Sequence, residues 1–137
     1  EQFHGCGLVP NRLMPKLFSQ VDVAVFPNRC EGGTNLVAME AMASGIPCIL
    51  SANTGHLDLI EDDNCYPLQQ QGEITPKAGF AGTKDWGESD VAEGVECFER
   101  VYTDRAEARR RGDRATNFMQ DWSWEKRTGY LMNRITQ

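Results

Sequence analysis

No run of apolar residues in this 137-residue chain approaches the roughly 20 needed for a membrane-spanning helix. No basic-then-apolar signal stretch opens it, and Glu1 rather than Met stands first. Cations are outnumbered: 14 Lys and Arg face 20 Asp and Glu, a net charge of −6. Binding to a nucleic-acid backbone rests on clustered Lys and Arg, so nucleic acid is excluded as the main partner. Histidine is scarce, with only His4 and His56, and no two of the five cysteines form a CxxC pair. Cys6, Cys30, Cys48, Cys65 and Cys97 are separated by 24, 18, 17 and 32 residues, wider than zinc sites or disulfide frameworks usually allow. These absences predict no metal site, five free thiols in a reducing, cytoplasmic setting, and Cys48 as a small core residue. What is present is globular: 40% apolar and 25% charged residues, in a length that suits one domain over residues 1–137. The abrupt opening reads as that of a fragment or an excised domain.

Along the chain, helix and strand signals alternate. A strand end at Phe3 and a turn through Gly5 and Gly7 lead into a loop at Val9, Pro10 and Asn11. Leu13, Leu17, Phe18 and Val21 recur at helical spacing, with Pro15 in the first turn, where its missing N–H costs little. Residues 21–26 are a β-branched run closed by Pro27, hence a buried strand. A loop over 29–35 precedes a short helix over 36–44, which Gly45 stops. Residues 46–50 form a second buried strand, with Pro47 near its start. This tempo predicts an α/β fold: a Rossmann-like three-layer sandwich with a parallel sheet.

Periodicity fades over residues 69–88, where Gln69, Gln70 and Gln71 are followed by Gly72, Pro76, Gly79, Gly82 and Gly87. A structureless loop of that length is uncommon in a compact domain and marks a mobile or functional segment. The remaining third is helical. Asp90 with Glu93, and Asp104 with Glu107, are capping signatures, and Ser123 can cap a third helix. Val91, Val95, Phe98 and Tyr102 form one apolar stripe; Trp124, Leu131 and Ile135 form another. Trp122 and Trp124 read as packing residues, and Arg109, Arg110, Arg111 and Arg114 as a solvated face.

The chemistry concentrates in residues 30–47. Glu40 is the only formal charge between Gly32 and Leu57, on a helix otherwise made of Leu, Val, Ala, Met and Ser. A carboxylate in such a setting needs a donor, either a protein group or a ligand hydroxyl. Gly32 and Gly33 permit close backbone approach or positive φ. Thr34 or Asn35 can cap the helix, whose first amides attract phosphate. The loop follows a strand, at the sheet's carboxyl end, where open α/β sheets bind ligands.

Glu31-Gly32-Gly33, followed by Glu40-Ala41-Met42-Ala43-Ser44-Gly45-Ile46-Pro47, resembles the two-glutamate motif of glycosyltransferase family 4, retaining enzymes of GT-B fold. Gly7 to Pro10, Met14 to Phe18, Val21 to Val23 and Phe26 to Asn28 resemble the block before that motif. Asn53-Thr54-Gly55-His56 to Ile60 stands in the place of the family's Gly-rich loop, with Asp58 where Glu is usual, and 118–124 resembles its late aromatic signature. The resemblance implies that the chain is the later part of a GT-B C-terminal donor domain. It implies a nucleotide-sugar donor and no bound cofactor or metal.

By the same resemblance, Glu31 is the catalytic-site carboxylate that meets the sugar hydroxyls, and Glu40 accepts from the ribose. Backbone groups of Gly32, Gly33, Thr34, Asn35 and Leu36 hold the sugar and diphosphate, and Val9 and Pro10 lie against the nucleobase. Eight residues separate Glu31 from Glu40, one more than the family spacing, and Asn35 is a candidate for the extra one. The acceptor domain and the family's phosphate-clamping Arg and Lys would lie outside this chain, as would any peripheral membrane contact. Arg29 is either a helper in that role or a rim residue, and His56 either a ligand contact or a loop residue with a local hydrogen bond. The expected function is the donor-binding part of a glycosyltransferase, inactive alone. The alternative is a non-catalytic nucleotide-sugar-binding or assembly module with the same fold.

Overall fold

The computed structural model describes residues 4–75 and 82–136; the strand end read at Phe3 and part of the 69–88 loop lie outside them. The α/β reading holds. Strands β1 (Ala24–Phe26), β2 (Cys48–Ser51) and β3 (Tyr66–Leu68) form a parallel sheet in that order. Helices α1 (Met14–Phe18), α2 (Leu36–Ala43), α3 (Val91–Thr103), α4 (Arg105–Met119) and α5 (Trp124–Ile135) surround it.

Side chains alternate across the strands, and this splits the core in two. Ala24, Phe26, Cys48 and Leu50 point to one face, where Ala38, Ala41 and Met42 of α2 and Phe18 of α1 pack with Ala115 and Met119 of α4. Val23, Ile49, Tyr66 and Leu68 point to the other, against Cys97 and Val101 of α3 and Ala108 of α4. Helix α4 therefore borders both halves.

The stop at Gly45 follows from its conformation. Its φ is +75°, its amide donates to Met42 and that of Ile46 to Ala41, which satisfies the last carbonyls of α2. Against this turn lies Gly112 of α4, so close that a Cβ there would stand 2.2 Å from the Gly45 carbonyl oxygen.

Four expectations need correction. Helix α1 ends at Phe18, short of Val21, and β1 begins only at Ala24. The 69–88 segment is not structureless, because β4 (Gln71–Gly72) pairs antiparallel with β5 (Glu88–Ser89) and closes its base. Such strands show no alternating pattern; side chains hold them, with Gln71 Nε2 donating to Ser89 Oγ at 2.9 Å and Ser51 bonded to Ser89 at 2.7 Å. The apolar stripe of α3 faces outward: Val91, Val95, Phe98 and Tyr102 are exposed, and Trp124, Leu131 and Ile135 of α5 are too. Lastly, the arginines do not all fan into water. Arg111 donates to Glu107, Asp63 and the Cys65 carbonyl and lies 4.7 Å from the Tyr66 ring centroid, while Arg114 joins it on Asp63.

Capping at Asp90 is half as expected. Its carboxylate accepts from the Glu93 amide at 2.9 Å. Glu93 does not reciprocate; it accepts from the amides of Gln69 and Gln70 and so ties α3 to the end of β3. Asp104 and Ser123 accept from Glu107 and Lys126 as their spacing predicts. Cys48 is fully buried, and all five cysteines are free.

Candidate functional site

The loop between β1 and α2 leaves the carboxyl end of the sheet and turns into the helix at Asn35. That residue has φ +59° and ψ +85°, a left-handed conformation that Asn tolerates better than most side chains. From there its Oδ1 accepts from the Ala38 amide at 3.1 Å, so Asn35 is the cap. Thr34 is not; its hydroxyl donates to Met39 Sδ at 3.3 Å. Ahead of the cap, Gly32 and Gly33 are exposed, as is Leu36 in the first turn. The amides of Leu36 and Val37 donate to no acceptor among the described residues, as expected of an open helix start.

A second loop, over residues 53–56, holds the first in place. The Glu31 amide donates to Thr54 Oγ1 at 2.7 Å and the Gly55 amide to the Glu31 carbonyl at 3.2 Å. Asn53 Nδ2 reaches the Asn28 carbonyl at 2.9 Å, so side chain and backbone knit the two segments together. The Glu31 carboxylate turns back over its own loop, accepting from Asn28 Nδ2 at 3.3 Å and from the Gly33 amide at 3.4 Å. Both bonds are long, hence weak.

Glu40 stands in a different environment. It is half-buried in a cleft of about 370 Å³ with Asn11, Met14, Pro15, Phe18, Ala43 and Ser44. Its carboxylate accepts no hydrogen bond from the described residues. Val9, half-buried, and Pro10, exposed, run directly into Asn11, and the Pro10 carbonyl accepts from Leu13 at 2.8 Å to shape that turn. The fold thus gathers Asn11 and Glu40 on one cleft beside Val9 and Pro10. Residues 31–36 lie at the other end of the same helix, at its opening turn.

Over residues 11–131 the sequence matches the family described as "Family 4 Glycosyltransferase in conflict systems". The chain belongs to this family. No curated protein matches it.

Two polar side chains of this family 4 glycosyltransferase domain have roles that sequence reasoning assigned only loosely. His56 is fully buried. Its Nδ1 faces the Ser51 carbonyl at 3.2 Å, and its Nε2 faces Asn35 Nδ2 at 2.9 Å. A carbonyl can only accept and an amide NH₂ can only donate, so the ring is neutral, with its proton on Nδ1. Burial pushes its pKa below 6.5, against an upward pull from the Ser51 carbonyl and the Glu31 carboxylate. Of the two readings of His56, the bonded one is observed, with one partner local and one 21 residues away.

Arg29 reaches the β4–β5 ribbon. It pairs with Glu88, and its carbonyl accepts from Gly87 at 2.9 Å. That attaches the β4–β5 ribbon to the Glu31 loop. No helix among the described residues is long and apolar enough to cross a membrane, and none of their His, Cys, Asp and Glu side chains form a cluster of three or more fit for a metal.

Proposed function

We propose that this chain is the nucleotide-sugar-binding part of a retaining glycosyltransferase of the cytoplasm, one that moves a sugar from a nucleoside-diphosphate donor to an acceptor. The observation that carries this reading is Glu40: a half-buried carboxylate that no donor among the described residues meets, on a cleft that Asn11 shares. A ribose diol supplies the missing donors, since two hydroxyls match the two oxygens of a carboxylate. The base then lies along Val9 and Pro10. The diphosphate and sugar extend toward Gly32, Gly33, Thr34, Asn35 and Leu36, where the open amides of the first helical turn and the helix dipole favour negative charge.

Transfer builds charge on the departing diphosphate. Fixed backbone donors stabilise such charge without a metal, because they need no reorganisation as it develops. Glu31 meets the sugar hydroxyls and must first release Asn28 and the Gly33 amide, bonds weak enough to exchange. The acceptor site and a cationic phosphate clamp belong to other parts of a GT-B enzyme, so the chain alone binds weakly and does not transfer sugar.

The test is ligand-observed NMR with UDP, GDP, ADP and their sugar conjugates. One nucleotide is expected to bind, and Glu40→Gln should weaken it by about 1–3 kcal/mol through loss of charged hydrogen bonds. Binding of none, or equal binding by the variant, would remove Glu40 from the site. Sugar transfer by the isolated chain would refute its inactivity. A second reading, a binding or assembly module without transfer chemistry, is supported by Glu31, whose carboxylate is engaged with its own loop. Donor binding that survives Glu31→Gln unchanged would favour it.

A further inference from the structure

We propose that neutral His56 is a positioning residue for the donor loop, holding Asn35 so that the loop and the first turn of α2 keep one geometry, and that protonation of the ring releases them. The proposal rests on the reading that this loop and turn hold the nucleotide sugar.

Asn35 is used at both ends of its amide. Oδ1 caps α2 through the Ala38 amide at 3.1 Å, and Nδ2 donates to His56 Nε2 at 2.9 Å. Its backbone is left-handed, so side chain and strained turn are set together. The imidazole is in turn anchored on β2 through the Ser51 carbonyl. One chain of bonds therefore runs from the sheet through the ring and the amide to the cap.

A proton on Nε2 breaks this chain by sign alone. The ring nitrogen becomes a donor facing the Asn35 NH₂, which is also a donor. Rotating the amide by half a turn would restore that contact but aim the NH₂ at the Ala38 N–H, so the cap would be lost instead. No orientation of Asn35 satisfies both partners once His56 is charged. The charged groups round the ring do not remove the conflict. β2 carries none, α2 carries only Glu40, beyond its first turn, and Asp58 of the same turn is exposed. Glu31 is the carboxylate that acts on the ring, and its attraction is outweighed by burial.

The experiment is NMR on the ¹⁵N-labelled chain from pH 8 to pH 5, following the His56 ring nitrogens and the Ala38 amide, with UDP, GDP and ADP titrated at both ends. In the wild type, protection of the Ala38 amide should fall with the same midpoint as the ring, and nucleotide affinity should fall about tenfold, the value of one hydrogen bond made or lost. His56→Gln presents an acceptor to Asn35 and a donor to Ser51 without titrating, so its Ala38 amide and its affinity should be flat with pH. An Ala38 amide that ignores the ring's titration overturns the proposal, as does a ring that stays neutral until the protein unfolds. A Gln variant that keeps the wild-type pH dependence also overturns it. Nucleotide binding at neither pH, with Ala38 still tracking His56, leaves the positioning intact and refutes the donor reading.

Discussion

The carbonyl oxygen of Gly33 occupies the place of a Gly55 side chain, 1.5 Å from where a Cβ on Gly55 would sit. The Gly33 carbonyl carbon and the Glu31 oxygen lie at 2.7 and 3.0 Å from the same point. All three obstacles are backbone, which cannot swing aside as a side chain can. Gly55→Ala must therefore separate the two loops of the candidate site. We expect a stability loss at or above the upper end of overpacking costs, about 3 kcal/mol, and loss of any nucleotide binding. Urea denaturation checks the first and NMR titration the second; a variant of unchanged stability would mean that the loops are not in contact.

Gly112→Ala sets two effects against each other. Alanine inside a helix gains about 1 kcal/mol over glycine. Here the new methyl would meet the Gly45 carbonyl at 2.2 Å, in a turn held by two hydrogen bonds and a positive φ. Overpacking against rigid backbone costs about 1–3 kcal/mol or more, so the sign is destabilising. A raised melting temperature would show that α4 can draw back from α2 at no cost.

Local rules made much of this architecture legible. The span of α2, its stop at Gly45, the apolar strand at Cys48 to Leu50 and the caps at Asp90, Asp104 and Ser123 all depend on neighbours within a few residues. Misreadings came where a partner is remote. The apolar stripe of α3 is real as a pattern, but the sheet buries the face with Cys97 and Val101 instead. Arg111 looked solvated because Asp63 and the Cys65 carbonyl lie 48 and 46 residues away. At the site, a cap at Thr34 or Asn35 and Glu40 as the lone charge on its helix were readable from residue types; the choice of Asn35 and the lack of a donor for Glu40 among the described residues came from the structure. The tie between Asn35 and His56 was not, since it depends on how two loops meet.

Arg111 is an anchor rather than a surface charge. Its side chain is only 12% exposed, and it donates to Glu107, itself 16% exposed, to Asp63 and to the Cys65 carbonyl. Arg111→Met leaves the Cys65 carbonyl without this donor and the largely covered Glu107 with Arg110 as its remaining partner, at a cost of about 3 kcal/mol. Arg114, which meets the same Asp63 from an exposed position, should cost under about 1 kcal/mol on replacement by Met. Equal losses from the two variants, in urea titrations, would contradict this division.

The thiols should divide by burial. Desolvation pushes the pKa values of Cys48 and Cys65 to about 12 and raises that of Cys97. Since the thiolate is the reactive species, these three should resist alkylation at pH 8 until the protein unfolds. Exposed Cys6 should be modified in the native state, with half-buried Cys30 the next accessible. Peptide mass spectrometry after a timed reaction reads the order, and native labelling of Cys48 at the rate of Cys6 would contradict its place under α2.

Fold stability should fall as the solution is acidified below neutrality, and His56 accounts for the sign. Its pKa in the folded protein lies below 6.5, the value of a free histidine, chiefly because burial disfavours the charged ring. The unfolded chain therefore binds a proton first, and stability present above pH 6.5 is lost as pH drops toward the folded value. One such proton limits the slope to about 1.4 kcal/mol per pH unit. Asp63 and Asp121 also have lowered pKa values, set mainly by hydrogen bonds from Arg114 and Lys126, but their effect begins only near and below their ordinary carboxylate range of 3.8. Between that range and pH 6.5, His56 therefore acts apart from these two aspartates. Urea midpoints measured across this interval should decline in the wild type and decline less in His56→Gln, where no ring is present to take up the proton. Parallel curves for the two proteins would mean that another group, not His56, carries the loss.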